Sequence, residues 1–340
     1  MKNKNQLFLG YWIRPFLMEY LVTSKNYSIN TVKSYRDSLT IFLVFIKDTT
    51  KKKIEQIRIE DITPVLIEKF LKSIEENRKC SVSTRNQRLA AIHSLAQFIA
   101  TKCPEQVEWS RMIHTVPSKK KIKSLITYLE KEEMDALLNA PDRKEVQGRK
   151  DYALLLFLYN SGARASEVCN LLIKDLFLSR NHTNMATVTI CGKGNKIRRC
   201  PLWESTVVEL KKIIANRTED EHIFLNRYGN PLTRFGVFEM IDRIVKVASK
   251  TSPKLKDKKI SPHVIRHTTA SHLLQAGVDI NTIRVWLGHT SIETTNIYAE
   301  VNMEMKAKAL KECEIQTLSE FESKSEWKND DKLMSFLKSL

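Results

Sequence analysis

Near its C-terminal end the chain gathers histidines, an arginine and a tyrosine: Pro262-His263-Val264-Ile265-Arg266-His267, then Leu287-Gly288-His289, then Tyr298. Ser261 and Pro262 read as the N-cap and first position of a helix, which sets His263, Arg266 and His267 at i, i+3 and i+4 on a shared face. Guanidinium is permanently charged and offers a planar fork of donors, while imidazole trades a proton near neutral pH. Such a face suits a phosphate oxyanion, and Tyr298 can supply the nucleophile.

Two further places carry groups of the same kind. Arg164 follows the apolar stretch Tyr152–Tyr159 and the sequence Asn160-Ser161-Gly162, where glycine is placed to end a helix; Ser166-Glu167 opens the next one. Glu167, three residues on, can hold Arg164 rigidly. The second place is a hairpin: Ala186–Ile190 alternates and is β-branched, Gly192-Lys193-Gly194-Asn195-Lys196 turns, and Ile197–Pro201 returns. It presents Lys193 at its tip, where an ammonium can give a proton to a leaving alkoxide. Lys196, Arg198 and Arg199 compete there for contacts to a polyanion.

Composition indicates which phosphate. The 340 residues include 56 Lys+Arg against 39 Asp+Glu, a formal net charge of +17, which favours a nucleic acid partner. The apolar run from Ala153 to Tyr159 is far too short to span a bilayer, and Arg14 and Pro15 interrupt the N-terminal apolar residues, unlike a secretory signal. The reading is a cytoplasmic protein without a membrane partner. Six cysteines, at 80, 103, 169, 191, 200 and 313, show neither a CxxC pair nor a zinc-type Cys/His spacing. Reduced thiols are expected, and no metal site; Cys191 and Cys200 could face each other across the hairpin.

The positioning elements divide into two domains. Residues 1–110 read as a helical bundle, with Val32, Leu39, Phe42, Leu43 and Ile46 on one stripe and Leu89, Ile92, Leu95, Ala96 and Ile99 on another. Lys33 and Arg36 lie beside the first stripe, Arg85, Arg88 and His93 beside the second, where they either meet phosphates or are simply solvated. Residues 111–125 form a basic linker containing Lys119, Lys120 and Lys121, either a strap along a DNA backbone or a mobile loop of mutually repelling charges. Residues 126–315 form the second domain, with helices expected from about Lys131 to Asn139, from an Asp279 cap through Trp286, and from about Ile292 through Tyr298. Residues 316–340 are a tail whose Leu333, Met334, Phe336, Leu337 and Leu340 suit an amphipathic helix or a frayed end.

The ordered set Gly162-Ala163-Arg164-Ala165-Ser166-Glu167, Gly192-Lys193-Gly194, His263-x-x-Arg266-His267, Leu287-Gly288-His289 and Tyr298 resembles the tyrosine recombinase (phage lambda integrase) family, and is similar to its Xer-like and transposon-type members. Asn30-Thr31-x-x-x-Tyr35-Arg36 and Ser83-Thr84-Arg85-x-x-Arg88-Leu89 extend the resemblance into the N-terminal half. It implies a mainly α fold with a small β-sheet: a helical, SAM-like core-binding domain followed by a mixed α/β catalytic domain. It implies that Tyr298 attacks a DNA phosphodiester to form a 3′-phosphotyrosyl link, without a cofactor, on the way to a four-way junction. By the resemblance Arg164, Arg266 and His289 hold the phosphate oxygens, Lys193 protonates the leaving 5′-oxygen, His263 handles the tyrosine proton, and Glu167 and His267 support them. Lys33, Arg36, Arg85, Arg88, Lys119, Lys120, Lys121, Lys196 and Arg198 are the expected DNA contacts.

The resemblance also implies a homotetramer on double-stranded DNA with paired core sites, for integration or excision of a mobile element or for resolution. The tail would dock on a neighbouring protomer in a ring, and its length leans towards a mobile element. The chain begins almost directly with the core-binding domain, leaving no room for the arm-binding domain of lambda-type integrases. A type IB topoisomerase-like enzyme and a noncatalytic DNA-binding regulator on the same fold are the alternatives.

Overall fold

The computed structural model describes residues 4–121, 126–178, 185–192, 194–288 and 338–339. Lys193, His289, Tyr298, the helix expected from Ile292 and nearly all of the tail lie outside the described residues. The chain divides into two compact units, Met1–Ser124 and Leu125–Leu340.

Helices make up the first unit. α1 (Leu9–Arg14) runs directly into a π-helical stretch, Pro15–Ser24, and α2 (Ile29–Thr50), α3 (Pro64–Glu76), α4 (Val82–Lys102) and α5 (Val107–His114) follow. Their starts are written locally: Ser28, Thr63 and Ser81 accept from the backbone N–H of Thr31, Leu66 and Thr84, satisfying donors that the first helical turn leaves unpaired. The apolar stripes meet in a core around Phe16, Phe42, Phe70 and Ile99, with Phe42 and Phe70 centred 4.9 Å apart. Burying one such ring contributes roughly 1.5–3 kcal/mol. All the stripe residues expected inside are buried except Leu43, which is half-buried.

The second unit opens with α6 (Lys131–Asn139), α7 (Val146–Ser161) and α8 (Ala165–Asn170). A three-stranded antiparallel sheet follows in the order β1 (Leu176–Phe177), β2 (Thr187–Cys191), β3 (Ile197–Pro201), and then α9 (Glu204–Ile214), α10 (Arg234–Ala248), α11 (Pro262–Gln275) and α12 (Ile280–Leu287). The mainly α fold with a small sheet is as expected, with one strand more than the hairpin. Two residues are too few for β1 to show a period. The register pairs Cys191 with Ile197 and Cys200 with Val188, so the two cysteines are not cross-strand neighbours. Among the described residues no two cysteines are joined in a disulfide. No helix among the described residues is long and apolar enough to cross a membrane.

Helix ends are what this unit uses to build its centre. α7 is buried from Ala153 through Ser161 and stops at Gly162, whose left-handed backbone (φ +58°) lets its N–H bond the Leu158 carbonyl at 2.9 Å. α12 starts under the Asp279 carboxylate, which accepts from Asn281 N and Thr282 N, and stops at Gly288, also left-handed (φ +66°). A Cβ on Gly162 would lie 2.5 Å from Leu287 Cδ2, so the absent side chain is the space in which α12 ends. Gly162→Ala therefore meets a steric and a backbone penalty together, and we expect a loss of about 2 kcal/mol or more in urea unfolding of this unit. Gly10→Ala, in α1 with open space around it, is expected to be neutral or to stabilise by up to about 1 kcal/mol. Equal effects of the two substitutions would contradict this account.

Candidate active site

Ser261 caps α11, its Oγ accepting from Val264 N at 3.4 Å with Pro262 in the first turn, as the sequence indicates. The three residues on the shared face are buried to different depths. His263 is exposed, His267 is half-buried, and Arg266 is only 4 % exposed. Arg266 Nη1 donates to the Gly162 carbonyl and Nη2 to the Leu287 carbonyl, both at 2.6 Å. Those carbonyls close two helices and carry the negative ends of their dipoles, so one guanidinium satisfies orphan acceptors of both α7 and α12. Thr269 reinforces the joint by donating to the Tyr159 carbonyl at 2.8 Å, and Thr268 Oγ1 accepts from Leu129 N at 2.9 Å.

Arg164 is the N-cap residue of α8. Glu167 Oε2 accepts from Arg164 N at 2.9 Å, the backbone half of a capping box, and Oε1 takes Nη1 of the Arg164 side chain at 2.6 Å. Oε2 also takes Nη2 of Arg198 from β3 at 2.7 Å. Glu167 and Arg198 are both under a tenth exposed, whereas the Arg164 side chain is 28 % exposed. Burial by itself would raise the Glu167 carboxyl, but Arg198 and then Arg164 outweigh it and hold its pKa below the ordinary carboxylate value. Glycines give this pair room: a Cβ on Gly192 would come 3.1 Å from Glu167 Oε1, and one on Gly288 would come 3.2 Å from Arg198 Cδ.

The two histidines register the same convergence. Partial desolvation, then the charges of Arg266 and Arg164, lower the pKa of His263. His263 thus feels the charge of an arginine from its own helix and of one at the start of α8. His267 is pushed down to about 4 by burial, then by His263 and Arg266.

Other expected residues take different places. Lys33 and Arg36 are exposed on α2, Arg36 beside Asp37 at 2.7 Å, and Lys120, Lys121 and Lys196 are exposed. Arg88 is half-buried and donates to Cys80 Sγ at 3.2 Å, while His93 bonds the Ile113 carbonyl at 3.1 Å and stacks on His114. Lys119 pairs with Glu75 at 2.7 Å, and its backbone is fastened in both directions to the Asn86 side chain, so the start of the linker is fixed on α4. Arg85 and Arg198, named among the expected DNA contacts, both lie inside the protein rather than on its surface. Arg85 is buried and donates to the Pro117 carbonyl at 3.0 Å, and Arg198 is buried against Glu167. Strand parity is the signal that finds Arg198: Ile197 and Arg199 face out, so Arg198 shares the inward face with Cys200.

Asn160, 1 % exposed, carries a role that sequence reasoning missed. Its Nδ2 donates to the Pro201 carbonyl at 3.2 Å and its Oδ1 accepts from Trp203 N at 2.8 Å, while its own carbonyl accepts from Trp286 Nε1 at 3.3 Å. It joins the end of α7 to β3 and α12. Nothing local in Asn160-Ser161-Gly162 separates this from an ordinary helix terminus.

The depressed imidazoles have a consequence for stability. Between the ordinary histidine value of 6.5 and about 4, the unfolded chain takes up a proton that folded His267 refuses, so stability falls as pH falls through that window and the contribution levels off below it. We expect His267→Gln to flatten the decline in urea midpoint between about pH 7 and about pH 5. An unchanged decline would mean that this imidazole is not held neutral.

Residues 127–305 match the phage integrase family, and residues 16–102 match the N-terminal SAM-like domain of phage integrases. The chain is 36 % identical over 331 residues to a putative integrase/recombinase, y4rC, of Sinorhizobium fredii, covering 96 % of this chain and 97 % of that one. It is 30 % identical over 298 residues to the tyrosine recombinase XerC of Bacillus subtilis, covering 85 % and 91 %. The fold is similar to that of the XerH site-specific recombinase bound to difH substrate (TM-score 0.66, 20 % identity, 91 % and 97 % covered) and of the Tn1549 transposon integrase in complex with transposon right end DNA (TM-score 0.66, 18 % identity, 88 % and 98 % covered). With its buried arginine joint and paired carboxylate inside the matched region, the chain belongs to the phage integrase family and is a site-specific recombinase of the tyrosine class.

Proposed function

We propose that this enzyme cuts and rejoins double-stranded DNA with Tyr298 as nucleophile. The tyrosine oxygen attacks the scissile phosphorus, the P–O5′ bond breaks, and a 3′-phosphotyrosyl link and a free 5′-hydroxyl result. A 5′-hydroxyl from a partner strand then attacks the same phosphorus and releases the tyrosine, so the link conserves the phosphodiester and strand exchange consumes no nucleotide. Lys193 gives the departing 5′-oxygen its proton, and His289 donates to a nonbridging oxygen.

The observation that carries the reading is that two arginines are held in place by protein acceptors close together in the fold: Arg164 by Glu167, and Arg266 by the carbonyl of Gly162, two residues before Arg164, and by that of Leu287. Negative charge grows on the nonbridging oxygens as the phosphorus becomes five-coordinate, and preorganised cations stabilise that charge without moving. Depression of its pKa keeps His263 neutral near pH 7, the form able to accept the tyrosine proton. Glu167 holds Arg164. On this reading Lys33, Arg36, Lys120, Lys121 and Lys196 contact DNA phosphates, the protein acts in the cytoplasm as a homotetramer on paired core sites, and its physiological reaction is integration or excision of a mobile element or Xer-like resolution.

The test is to denature the protein after incubation with DNA, recover covalently attached DNA and sequence its 3′ ends. Wild type should give adducts at a discrete site, and Tyr298→Phe should give none. Arg164→Ala should slow adduct formation on the order of a hundredfold or more. Tight DNA binding without any wild-type adduct would count for a noncatalytic binder, and supercoil relaxation without strand exchange would count for a topoisomerase-like enzyme.

A further inference from the structure

We propose that Arg198 is a positioning residue for strand cleavage, which sets Arg164 through the Glu167 carboxylate and contacts no DNA phosphate. This inference rests on the reading above and deepens it. Glu167 divides its two oxygens: Oε1 holds the Arg164 side chain at 2.6 Å, and Oε2 is shared by Arg198 Nη2 at 2.7 Å and the Arg164 backbone N–H at 2.9 Å. Arg164 alone reaches both oxygens, but its hold on Oε2 is a neutral backbone N–H; Arg198 adds a charged donor to that oxygen from a separate strand, which keeps the buried carboxylate ionised and fixes the direction in which it holds Arg164.

The position of Arg198 adds a second constraint. It sits on β3, opposite Ile190 in the register, on the strand that follows the Gly192-Lys193-Gly194 turn, and its aliphatic stem and guanidinium fill the space beside Gly288 at the end of α12. From β3, the hairpin's return strand, this one side chain thus reaches the carboxylate of α8 and lies beside the glycine that ends α12. A Cβ on Gly192 would press on Glu167 Oε1 and lie 3.5 Å from Arg198 Nη1, so the hairpin approaches the pair closely only because that residue is glycine. Keeping a guanidinium here is costly. It is 8 % exposed, and its buried Nε has no hydrogen-bond partner among the described residues, so the charge is kept out of water with one donor unsatisfied. Burial also removes Arg198 from the set of side chains able to lie on a DNA backbone.

The experiment uses the full chain and a nicked DNA substrate carrying the cleavage site found by adduct sequencing. Arg198→Met, Arg198→Lys, Glu167→Gln and the double variant Arg198→Met/Glu167→Gln are compared with wild type. We expect Arg198→Met to lower the single-turnover cleavage rate constant by about 10–100-fold. The amplitude of cleavage, which counts competent enzyme, should hold, as should DNA affinity and the slope of log affinity against log salt. Arg198→Lys should recover part of the rate, and the double variant should be no slower than the worse single one, because both changes remove the same support.

A salt slope smaller by about one, with weaker binding, would make Arg198 a phosphate contact and overturn the proposal. So would losses that multiply in the double variant, a rate within about twofold of wild type, or a loss confined to the amplitude, the mark of a merely structural role. Should Arg198→Met fail to fold, the lysine variant and the double variant, in which a neutral amide replaces the buried carboxylate, give the same discrimination. Failure of the wild type to form any Tyr298-dependent adduct would instead strike the recombinase chemistry itself.

Discussion

The second unit depends on one buried cation placed where two helices end. An α-helix leaves its last carbonyls without partners and concentrates there about half a negative charge. α7 and α12 both end in the interior, at Gly162 and Leu287, and Arg266 lies between them with one Nη on each carbonyl. The arrangement answers two costs at once, since a buried guanidinium needs acceptors and the two helix ends need donors. Either alone would be expensive, with a charged hydrogen bond contributing about 1.5–3 kcal/mol and a buried unpaired group costing a similar amount. The glycines follow from the same joint. Gly162 turns left-handed so that its carbonyl faces Arg266, and its missing Cβ lets Leu287 come close enough to present the second acceptor.

From this joint outward the site is held in layers of different kinds. Arg266 is fixed by backbone carbonyls, which cannot titrate, whereas Arg164 is fixed by a carboxylate, which can. Protonation of Glu167 would release both of its arginines, and the buried position of that carboxyl favours protonation. Its paired guanidiniums reverse the preference. Arg164, Arg198 and Arg266 against Glu167 leave the cluster with a positive excess, which suits an incoming anion and matches the basic composition of the whole chain.

Much of this was legible in the sequence where the information is local. Ser261-Pro262, Gly162 and Asp279 each mark a helix end through the conformation of a few residues, and the structure ends helices at those places. The face carrying His263, Arg266 and His267 follows from helical spacing alone. Depth along that face does not, because it depends on where α7 and α12 stop. Arg85 and Arg198 show the limit most clearly. An arginine in a basic protein is exposed by default, and only the Pro117 carbonyl 32 residues away, or Glu167 31 residues back, brings these two inside. For Arg198 the alternation of β3 held half the answer, namely that it faces inward, but not which carboxylate waits there. Asn160 had no such hint, since its partners lie on β3 and α12.

The graded burial of α11 also sorts the chemistry. On the proposed reading the reaction needs positive charge at the phosphate and a base for a phenol whose ordinary pKa of roughly 10 makes it a poor nucleophile at neutral pH. One residue type cannot serve both ends well: a protonated histidine would add charge but could not accept the proton. In this site burial first, and neighbouring charge including that of the arginines second, depress His263 and His267, so the imidazoles favour the neutral form while the cations supply the field. The arginine at the buried position fixes geometry, and the histidine at the exposed first turn of α11 remains open to solvent and substrate. Moving either inward or outward by one helical turn would exchange those environments, which is why the spacing of the motif matters as much as its composition.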